Sequence, residues 1–464
     1  MNPSLDLADI QGIVLFAYRE HRAARFLFLR IHQAQRARAW LRHMGPKTRR
    51  AAPEDARHVR GHNLAFTANG LAALGLSNEA LRTFSREFRH GMGDPERARV
   101  LGDAGESAPD RWEVGGPSNG RVDVLLMLYA RDQPDLERFA AEEEARLEAV
   151  GLSVVHRIHS SRLPGDHEHF GFKDGLAQPR VEGAPARSET DGPGARELPV
   201  RAGEFLFGYA NAYDQRPTGP SIVASEDPSG ALAPLEGVAV RRDLGLNGTY
   251  LVIRKIQQHV GAFWSYLAAQ ARPGRDAEWL ASRLVGRHPD GTPLARGTHP
   301  DGGEFGFGED LLGRSCPLGA HIRRANPRDS LLGKPDASLV AVRRHRLVRR
   351  GRVYGPPLAD PRSGRDDGVD RGLVFIGLNT SIARQFEFVQ QTWVKSSIFA
   401  SLHGEDDPLI GQRLEGLGSF TIQREPVRER LVDMPRFVTM RGGGYFFVPS
   451  MRALSFLART GDRA

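Results

Sequence analysis

Hydrophobic residues in the first half of the chain occur in short runs that alternate with helix-like segments. Apolar runs at residues 10–18, 24–31, 121–130 and 152–158 predict β-strands. A helix is predicted over residues 33–43, and the segment "HNLAFTANGLAALGL" predicts a strand followed by a helix. Another helix follows Asp135, a plausible N-cap, with Leu136, Phe139, Leu147 and Val150 at helical spacing and Gly151 at its end.

The second half repeats this alternation of strands and helices. The run "NGTYLVIRKI" predicts a strand, residues 260–286 predict helices, and the stretch to residue 345 is predicted to be irregular. The run "GLVFIGL" predicts a buried strand, residues 381–393 a helix, and "FVTMRGGGYFFVP" a late strand pair.

Repeated βαβ segments predict an α+β fold in which antiparallel sheets are covered by helices. Residues 181–200, "VEGAPARSETDGPGARELPV", are rich in Pro, Gly, Ala and charge, and they predict a domain boundary. We therefore expect two ferredoxin-like domains, residues 1–198 and 199–464, that form a pseudo-duplicated fold.

Composition narrows the classes of partner and compartment. The formal net charge is +8, but only five of the 64 basic residues are lysines and the arginines are spread along the chain, so we expect no nucleic-acid partner. The single cysteine, Cys316, excludes an internal disulfide framework. No signal peptide and no apolar run of membrane-spanning length are recognised, and we expect a cytoplasmic protein that does not bind membranes. The sequence leaves the oligomeric state open.

The loop "HFGFKDG" places Asp174 in a glycine-rich setting, with Gly171 and Gly175 close by. Glycine permits positive φ angles and close approach of a bulky group. When the loop is considered alone, a tight turn in which the carboxylate caps a backbone amide is the better explanation.

The stretch "CPLGAHIRRANPRD" surrounds His321 with Arg323, Arg324 and Arg328. An isolated histidine is more often a structural hydrogen-bonding group than a metal ligand. A cluster of guanidinium groups around an imidazole is costly unless an anionic group, such as the carboxylates of a cofactor, accepts them.

Two further segments have strand patterns. In "RHRLVRRGRVYGPP", Arg349 and Arg350 point to opposite faces of a strand, although basic residues also suit a solvated edge strand. In "GLVFIGL", Leu373 and Phe375 fall on one face, for which core packing is the default interpretation.

Together these segments resemble one family, the dye-decolourising peroxidases. The motifs are a GxxDG loop, "GAHIRxxNPR", "RRGxxYG" and "GLxFxxxxxxIxxQFExxQxxW", in this order; "DIQGIV", "GEFLFGY", "RLVGRxxDGTPL" and "RGGGYFFVPS" are also similar. The resemblance covers nearly the whole chain. It implies a haem b cofactor held chiefly by the second domain, with hydrogen peroxide and small aromatic reductants such as dyes and phenolics as substrates.

The resemblance also implies roles for single residues. His321 corresponds to the proximal iron ligand, and Asp174 and Arg349 to the distal pair that assists heterolytic O–O cleavage. Leu373 and Phe375 correspond to the apolar wall, and Gly175 lets the cofactor approach. Arg323 first and Arg328 second are expected to bind the haem propionates. The acceptor for the other His321 nitrogen is either Asp407 or Glu387.

Two other functions remain open at this point. Asp166, His167, His169 and Asp174 could form a non-haem metal site, although this leaves His321 and Arg349 without a role. A haem-binding or iron-handling protein with little turnover could use the same pocket passively.

Overall fold

The computed structural model describes residues 4–52, 55, 58–185, 199–295, 305–412 and 418–460. Its β-strands are β1 (Ala23–Ile31), β2 (Arg60–Phe66), β3 (Val124–Ala130), β4 (Leu152–Ser161), β5 (Ser221–Val223), β6 (Pro234–Leu235), β7 (Val238–Asp243), β8 (Thr249–Gln258), β9 (Val348–Arg349), β10 (Arg352–Tyr354), β11 (Gly372–Asn379), β12 (Gly418–Ile422), β13 (Glu429–Met434) and β14 (Val438–Val448).

The α-helices are α1 (Gly12–Leu15), α2 (Ala34–Met44), α3 (Ala68–Ala73), α4 (Asn78–Arg82), α5 (Arg86–His90), α6 (Pro95–Leu101), α7 (Gln133–Leu147), α8 (Val260–Gln270), α9 (Ala277–Val285), α10 (His321–Ala325), α11 (Pro335–Arg343) and α12 (Met451–Leu457). Ala383–Glu387 and Val389–Val394 form wider π-helical turns. Among the described residues, no helix combines the length and apolar character that a bilayer crossing requires.

Each half of the chain builds an antiparallel sheet, and the two sheets have the same strand order. The first half has the strand order β4-β1-β3-β2, and the second has β14-β8-β11 followed by the short strands β9 and β10, which both pair with β11. In each half the strands, numbered along the chain, therefore lie in the order 4-1-3-2, and the predicted pseudo-duplicated ferredoxin-like fold is confirmed. The predicted division at residue 198 falls in 186–198, outside the described residues, and stays a prediction.

The two sheets join at both edges to form one closed structure. β2 pairs with β14 through Phe66 and Phe447, and β4 pairs with β10 through Ser160 and Tyr354. Alternate residues of the strands point into a shared core that includes Phe28, Leu125, Met127, Leu251, Ile253, Val374, Ile376 and Phe446. The shared core accounts for one apolar face of the strands, and helices such as α2 and α7 cover the other face in the first half.

The segment 10–18 differs from the prediction. The run at residues 10–18 was expected to be a strand, but it contains α1. Ile13 and Val14 in this helix are fully buried, and so is Ile10, which lies before the extended N-cap residue Gln11. A short apolar run is ambiguous between strand and helix, and packing on the shared core decides for the helix here.

The long helix of the first half begins earlier than expected. Its N-cap is Asp132, whose side chain accepts a hydrogen bond from the backbone N–H of Asp135 at 2.9 Å. Asp135 lies in the first turn instead. The remaining predicted strands and helices of the first half are confirmed within a few residues, and Gly151 ends the helical segment at a φ of 71°.

The second half contains three local differences. The stretch expected to be irregular up to residue 345 includes α10 and α11, and the expected late strand pair is one bulged strand, β14. A Cβ at Gly442 would lie 2.8 Å from Val114 atoms, so this glycine serves close backbone approach and not a turn. The predicted helix over residues 381–393 forms, but with π-helical turns.

Candidate cofactor-binding and catalytic site

A cavity of about 350 Å³ lies between the loop 168–178 and the outer face of the second half-sheet. Its apolar wall includes Ile256, Leu373 and Phe375, which alternate on β8 and β11 with residues of the shared core. Leu373 and Phe375 are half-buried because the cavity lies in front of them. The volume is within the range of small-molecule and cofactor sites.

His321 lines this cavity from the start of α10. Its Nδ1 lies 2.9 Å from Oδ2 of the fully buried Asp407. The other oxygen of Asp407 accepts hydrogen bonds from the N–H groups of Leu409 and Ile410, both at 2.9 Å. A carboxylate can only accept, so Nδ1 carries the proton and Nε2 keeps a lone pair for a ligand.

Of the two candidate acceptors, the structure brings Asp407 to His321. Glu387 lies elsewhere, where its carboxylate accepts hydrogen bonds from Tyr445 at 2.9 Å and Arg97 at 2.8 Å.

Charged groups around the cavity change the proton affinity of His321. Burial alone would lower its pKa, but the charge and the hydrogen bond of Asp407 outweigh burial and raise the pKa above its ordinary value. The charge of Arg349 lowers the pKa of His321, and the charge of Asp174 raises it. These two residues are therefore close enough to His321 for their charges to affect it.

Asp174 reaches the cavity from a loop with two left-handed glycines. Gly171 and Gly175 have φ angles of 97° and 76°, which a residue with a side chain adopts only under strain. The backbone N–H of Asp174 donates to the carbonyl of Asp166 at 2.8 Å. The loop geometry therefore depends on glycine, and Asp174 and Gly175 both line the cavity.

Glu168, which the sequence analysis did not single out, holds this loop in place. Its carboxylate accepts hydrogen bonds from the N–H groups of Phe170 and Phe172, both at 2.9 Å, and from Gln258 at 2.6 Å. Burial raises the pKa of Glu168 to about 7, against the effect of these hydrogen bonds, and the charge of Asp174 contributes in the same direction as burial. Glu168 directly precedes the stretch "HFGFKDG".

Arg349 ends β9 and Arg350 follows it directly, and the two guanidinium groups have different partners. A guanidinium nitrogen of Arg349 donates to the carbonyl of Leu176, at 2.7 Å, on the cavity side of the loop. Arg350 is buried and donates to the carbonyls of Ile13 and Val14, at 2.9 and 2.8 Å. Atoms of both residues line the cavity, but the guanidinium of Arg350 is held by α1.

The arginines after His321 have different environments. Arg323, the first choice for a propionate, is 2% exposed and does not line the cavity; it donates to the carbonyls of Cys316 and Asp310, at 2.8 and 2.9 Å. The expectation for Arg323 is corrected, since these bonds and its contact with the Phe307 ring hold it away from the cavity. Arg324 is also buried and donates to the Trp393 carbonyl.

Arg328, the second choice, lines the cavity, and so does Arg287, which sequence analysis missed. Both guanidinium groups lie over the ring of Phe305, at 4.0 and 5.0 Å from its centroid. The backbone of Arg328 has a φ of 52°, a strained value that is typical of functional positions. Arg287 lies in the motif "RLVGRHPDGTPL", which the family resemblance includes, but the motif alone did not indicate which of its residues lines the cavity.

The loop of the alternative non-haem site does not assemble a metal centre. Nε2 of His169 is 2.8 Å from the carbonyl of Tyr354, Asp166 pairs with Arg162, and His167 contacts the Pro164 carbonyl. Among the described residues, the group of side chains close enough to share a metal ion is His90, Asp94 and Glu96, away from this loop.

Comparisons with known proteins identify the family. No family model matches the chain. The chain is 31% identical, over 97% of its length and 96% of the relative's, to the "Multifunctional dye peroxidase DyP2" of Amycolatopsis sp.. The chain belongs to the dye-decolourising peroxidases. The resemblance seen in the sequence motifs is thereby confirmed, and the chain is an oxidoreductase of this haem-dependent family.

Other dye-decolourising peroxidases agree with this assignment. A "Dye-decolorizing peroxidase" of Mycena epipterygia is 27% identical over 99% of this chain and 88% of its own. A dye-decolourising peroxidase solved in complex with 2,6-dimethoxyphenol superposes with a TM-score of 0.78 at 26% identity, over 98% of this chain and all of the other.

The residues of the cavity fit a haem group. His321, with a carboxylate on Nδ1, would offer Nε2 to the haem iron, and Leu373 and Phe375 would supply an apolar wall for the porphyrin. Arg287 and Arg328 supply positive charge for two carboxylates.

Proposed function

We propose that the cavity binds haem b and uses hydrogen peroxide to oxidise small aromatic compounds, phenols among them, by one-electron steps. The observation that carries this proposal is the meeting, in one cavity, of the His321–Asp407 pair with Asp174 and Arg349. A histidine ligand and a carboxylate–guanidinium pair are the groups that peroxide activation requires.

Each of these residues has a separate task. The haem, when bound, supplies the iron at which peroxide is reduced. Asp174 takes the proton from one peroxide oxygen and returns it to the other, which leaves as water. Arg349 stabilises negative charge that develops on the departing oxygen. His321 binds the iron through Nε2, and Asp407 orients the ring and increases its basicity.

Apolar and basic side chains of the cavity have further tasks. Leu373 and Phe375 exclude water beside the reacting oxygens, and Arg328 and Arg287 bind the propionates. Exclusion of water strengthens the interaction between Arg349 and the developing charge. The complex of a relative with 2,6-dimethoxyphenol supports phenols as the class of reductant.

Stopped-flow absorption spectroscopy tests this function. The haem-loaded protein is mixed with hydrogen peroxide, and we expect a rapid change of the haem spectrum that 2,6-dimethoxyphenol reverses. Asp174→Asn keeps the shape of the side chain but removes the basic oxygen, so the rate of the first change should fall by ~10²–10⁴.

The control is Asp166→Asn, in the same loop, which should react nearly as fast as the wild type. A protein that binds haem but shows no spectral change with peroxide would contradict the proposal and favour passive haem binding. An unchanged rate in Asp174→Asn would remove the proton-transfer role.

A further inference from the structure

A second histidine, His345, lines the cavity that contains His321 and Asp174, called the cofactor cavity below. It lies two residues after the end of α11, and none of the tasks assigned above involves it. Its Nδ1 is 2.6 Å from the carbonyl oxygen of Arg384. A carbonyl oxygen can only accept, so Nδ1 carries the ring proton and Nε2 keeps a lone pair.

Aromatic packing holds the His345 ring in the cavity wall. The ring stacks on Phe388, with centroids 4.0 Å apart and an angle of 11° between the planes, and it meets Trp393 edge to face at 5.1 Å. Among the residues that the structure describes, Nε2 has no hydrogen-bond partner. This nitrogen is therefore available to accept a hydrogen bond from a molecule in the cofactor cavity.

The surroundings of His345 keep its ring neutral. Burial lowers the pKa of His345 below its ordinary value; the hydrogen bond to the Arg384 carbonyl opposes burial, and the positive charges of Arg384 and Arg344 lower the pKa again. Arg384 is paired with Glu204 at 2.6 Å, and Arg346, the next residue, adds a further positive charge. A neutral imidazole can accept a proton, and a low pKa lets it release that proton again.

A base of this kind suits a phenol, because a phenol that loses an electron becomes a strong acid at its hydroxyl group. We propose that a phenolic reductant binds in the cofactor cavity with its hydroxyl group donating to Nε2 of His345, and that His345 accepts the phenol proton during oxidation. Trp393 and Val342 line the cavity in the same cluster and supply apolar contacts for the phenol ring.

The proposal rests on the proposed peroxidase function, which supplies the oxidant. The phenol gives one electron to the cofactor that peroxide has oxidised. Its O–H bond breaks, and the proton forms an N–H bond at Nε2 of His345. The phenoxyl radical leaves the cavity, and the imidazolium then gives its proton to solvent.

Calorimetric titration of the resting, haem-loaded protein with 2,6-dimethoxyphenol tests the docking position. His345→Phe keeps a ring that can stack on Phe388 but removes Nε2, so Kd should rise by ~2–10-fold, the worth of one hydrogen bond. His345→Gln has a carboxamide oxygen that can accept the same hydrogen bond, and it should bind the phenol more tightly than His345→Phe.

The matched control is His259→Phe. His259 is also half-buried, its pKa is also lowered by burial, and its Nε2 is 2.8 Å from the Thr439 hydroxyl, but it does not line the cofactor cavity. Its Kd should match the wild type. An unchanged Kd in His345→Phe would overturn the docking position. This measurement needs no peroxide, so it decides on the position even if the proposed peroxidase function fails.

Rapid-mixing kinetics test the proton transfer. Peroxide-treated, haem-loaded protein is mixed with 2,6-dimethoxyphenol or with ferrocyanide, which gives an electron but has no proton to lose. His345→Phe and His345→Gln should both lower the rate with the phenol by ~10²–10⁴, because neither side chain can accept a proton, and leave the rate with ferrocyanide unchanged.

The pH dependence gives a second reading of the same step. Below the lowered pKa of His345, Nε2 is protonated and cannot accept, so the wild-type rate with the phenol, relative to ferrocyanide, should fall as the solution is acidified through that pKa. The two variants should lack this fall. Equal losses with both reductants, or the wild-type pH dependence in His345→Gln, would overturn the role of His345 as proton acceptor.

Discussion

The two halves of the molecule share one strand order but differ in what covers the outer face of the sheet. In the first half, α2 and α7 pack directly on the strands through Trp40, Leu41, Leu136 and Phe139, all buried in one core cluster. In the second half, α8 and α9 pack on each other, on the loop aromatics and on the β12–β13 hairpin. The outer face of β11 is left open to the cavity.

A buried histidine–carboxylate pair occurs in both halves, and the comparison shows what makes one of them a candidate ligand. His62 lies 3.6 Å from Glu143 and meets the Phe139 ring edge to face, with centroids 4.5 Å apart. His321 has its carboxylate at 2.9 Å and its other nitrogen towards a cavity. A histidine–carboxylate pair is thus structural where the helices fill the space, and it is available for binding where they do not.

Removal of one aromatic ring from each half should have unequal effects on stability. Phe139→Ala leaves a cavity in a filled core and should cost about 3–5 kcal/mol of unfolding free energy. Phe375→Ala in the haem-free protein should cost much less, because that ring already borders a cavity. Denaturant unfolding of both variants measures the difference; equal losses would mean that the second half is packed as tightly as the first.

The two adjacent arginines of the second half should differ in their effects on the peroxide reaction and on stability. Arg349→Leu should lower the rate of the peroxide reaction by ~10²–10³, because a donor to the developing charge is lost. Arg350→Leu should leave that rate nearly unchanged and lower stability, since the carbonyls of Ile13 and Val14 lose a buried donor. Stopped-flow rates and unfolding curves separate the two, and the reverse pattern would show that Arg350 acts on peroxide.

Asp407→Asn should have a smaller effect than the preceding substitutions, and the property it changes is cofactor binding. Loss of the carboxylate should weaken haem affinity by about 10–100-fold, as for other groups that support a metal ligand. Asp407 raises the pKa of His321, so the ring of the wild type binds a proton at a higher pH than it would without this carboxylate. As the solution is acidified, protons therefore begin to compete with iron at a higher pH. In Asp407→Asn, the acid loss of haem affinity should therefore begin at lower pH.

Haem titrations at several pH values measure this shift, with Asp406→Asn as the neighbouring control. A wild-type pH dependence in Asp407→Asn would show that Asp407 does not set the basicity of His321.

The sequence predicted the repeated fold because most strands and helices have a local apolar pattern. Strand alternation placed Leu373 and Phe375 on one face, and their role as the wall of a cofactor site was implied by the family resemblance. It could not orient Arg323, since hydrogen bonds to the buried carbonyls of Cys316 and Asp310, which form only in the folded chain, decide where its guanidinium points. Nor could it choose Asp407 over Glu387, because that choice depends on how the chain between them folds back on α10. Helix α1 was missed because a four-residue turn has no periodicity of its own.

We expect His321, and not His62 of the first half, to bind the cofactor. Haem titration followed at the Soret band, on His321→Ala and His62→Ala side by side, tests it most directly. We expect His321→Ala to lose most of its haem binding and its axial-ligand spectrum while staying folded by circular dichroism, and His62→Ala to bind haem with the wild-type spectrum. Full haem binding with an unchanged spectrum in His321→Ala would show that another residue binds the iron.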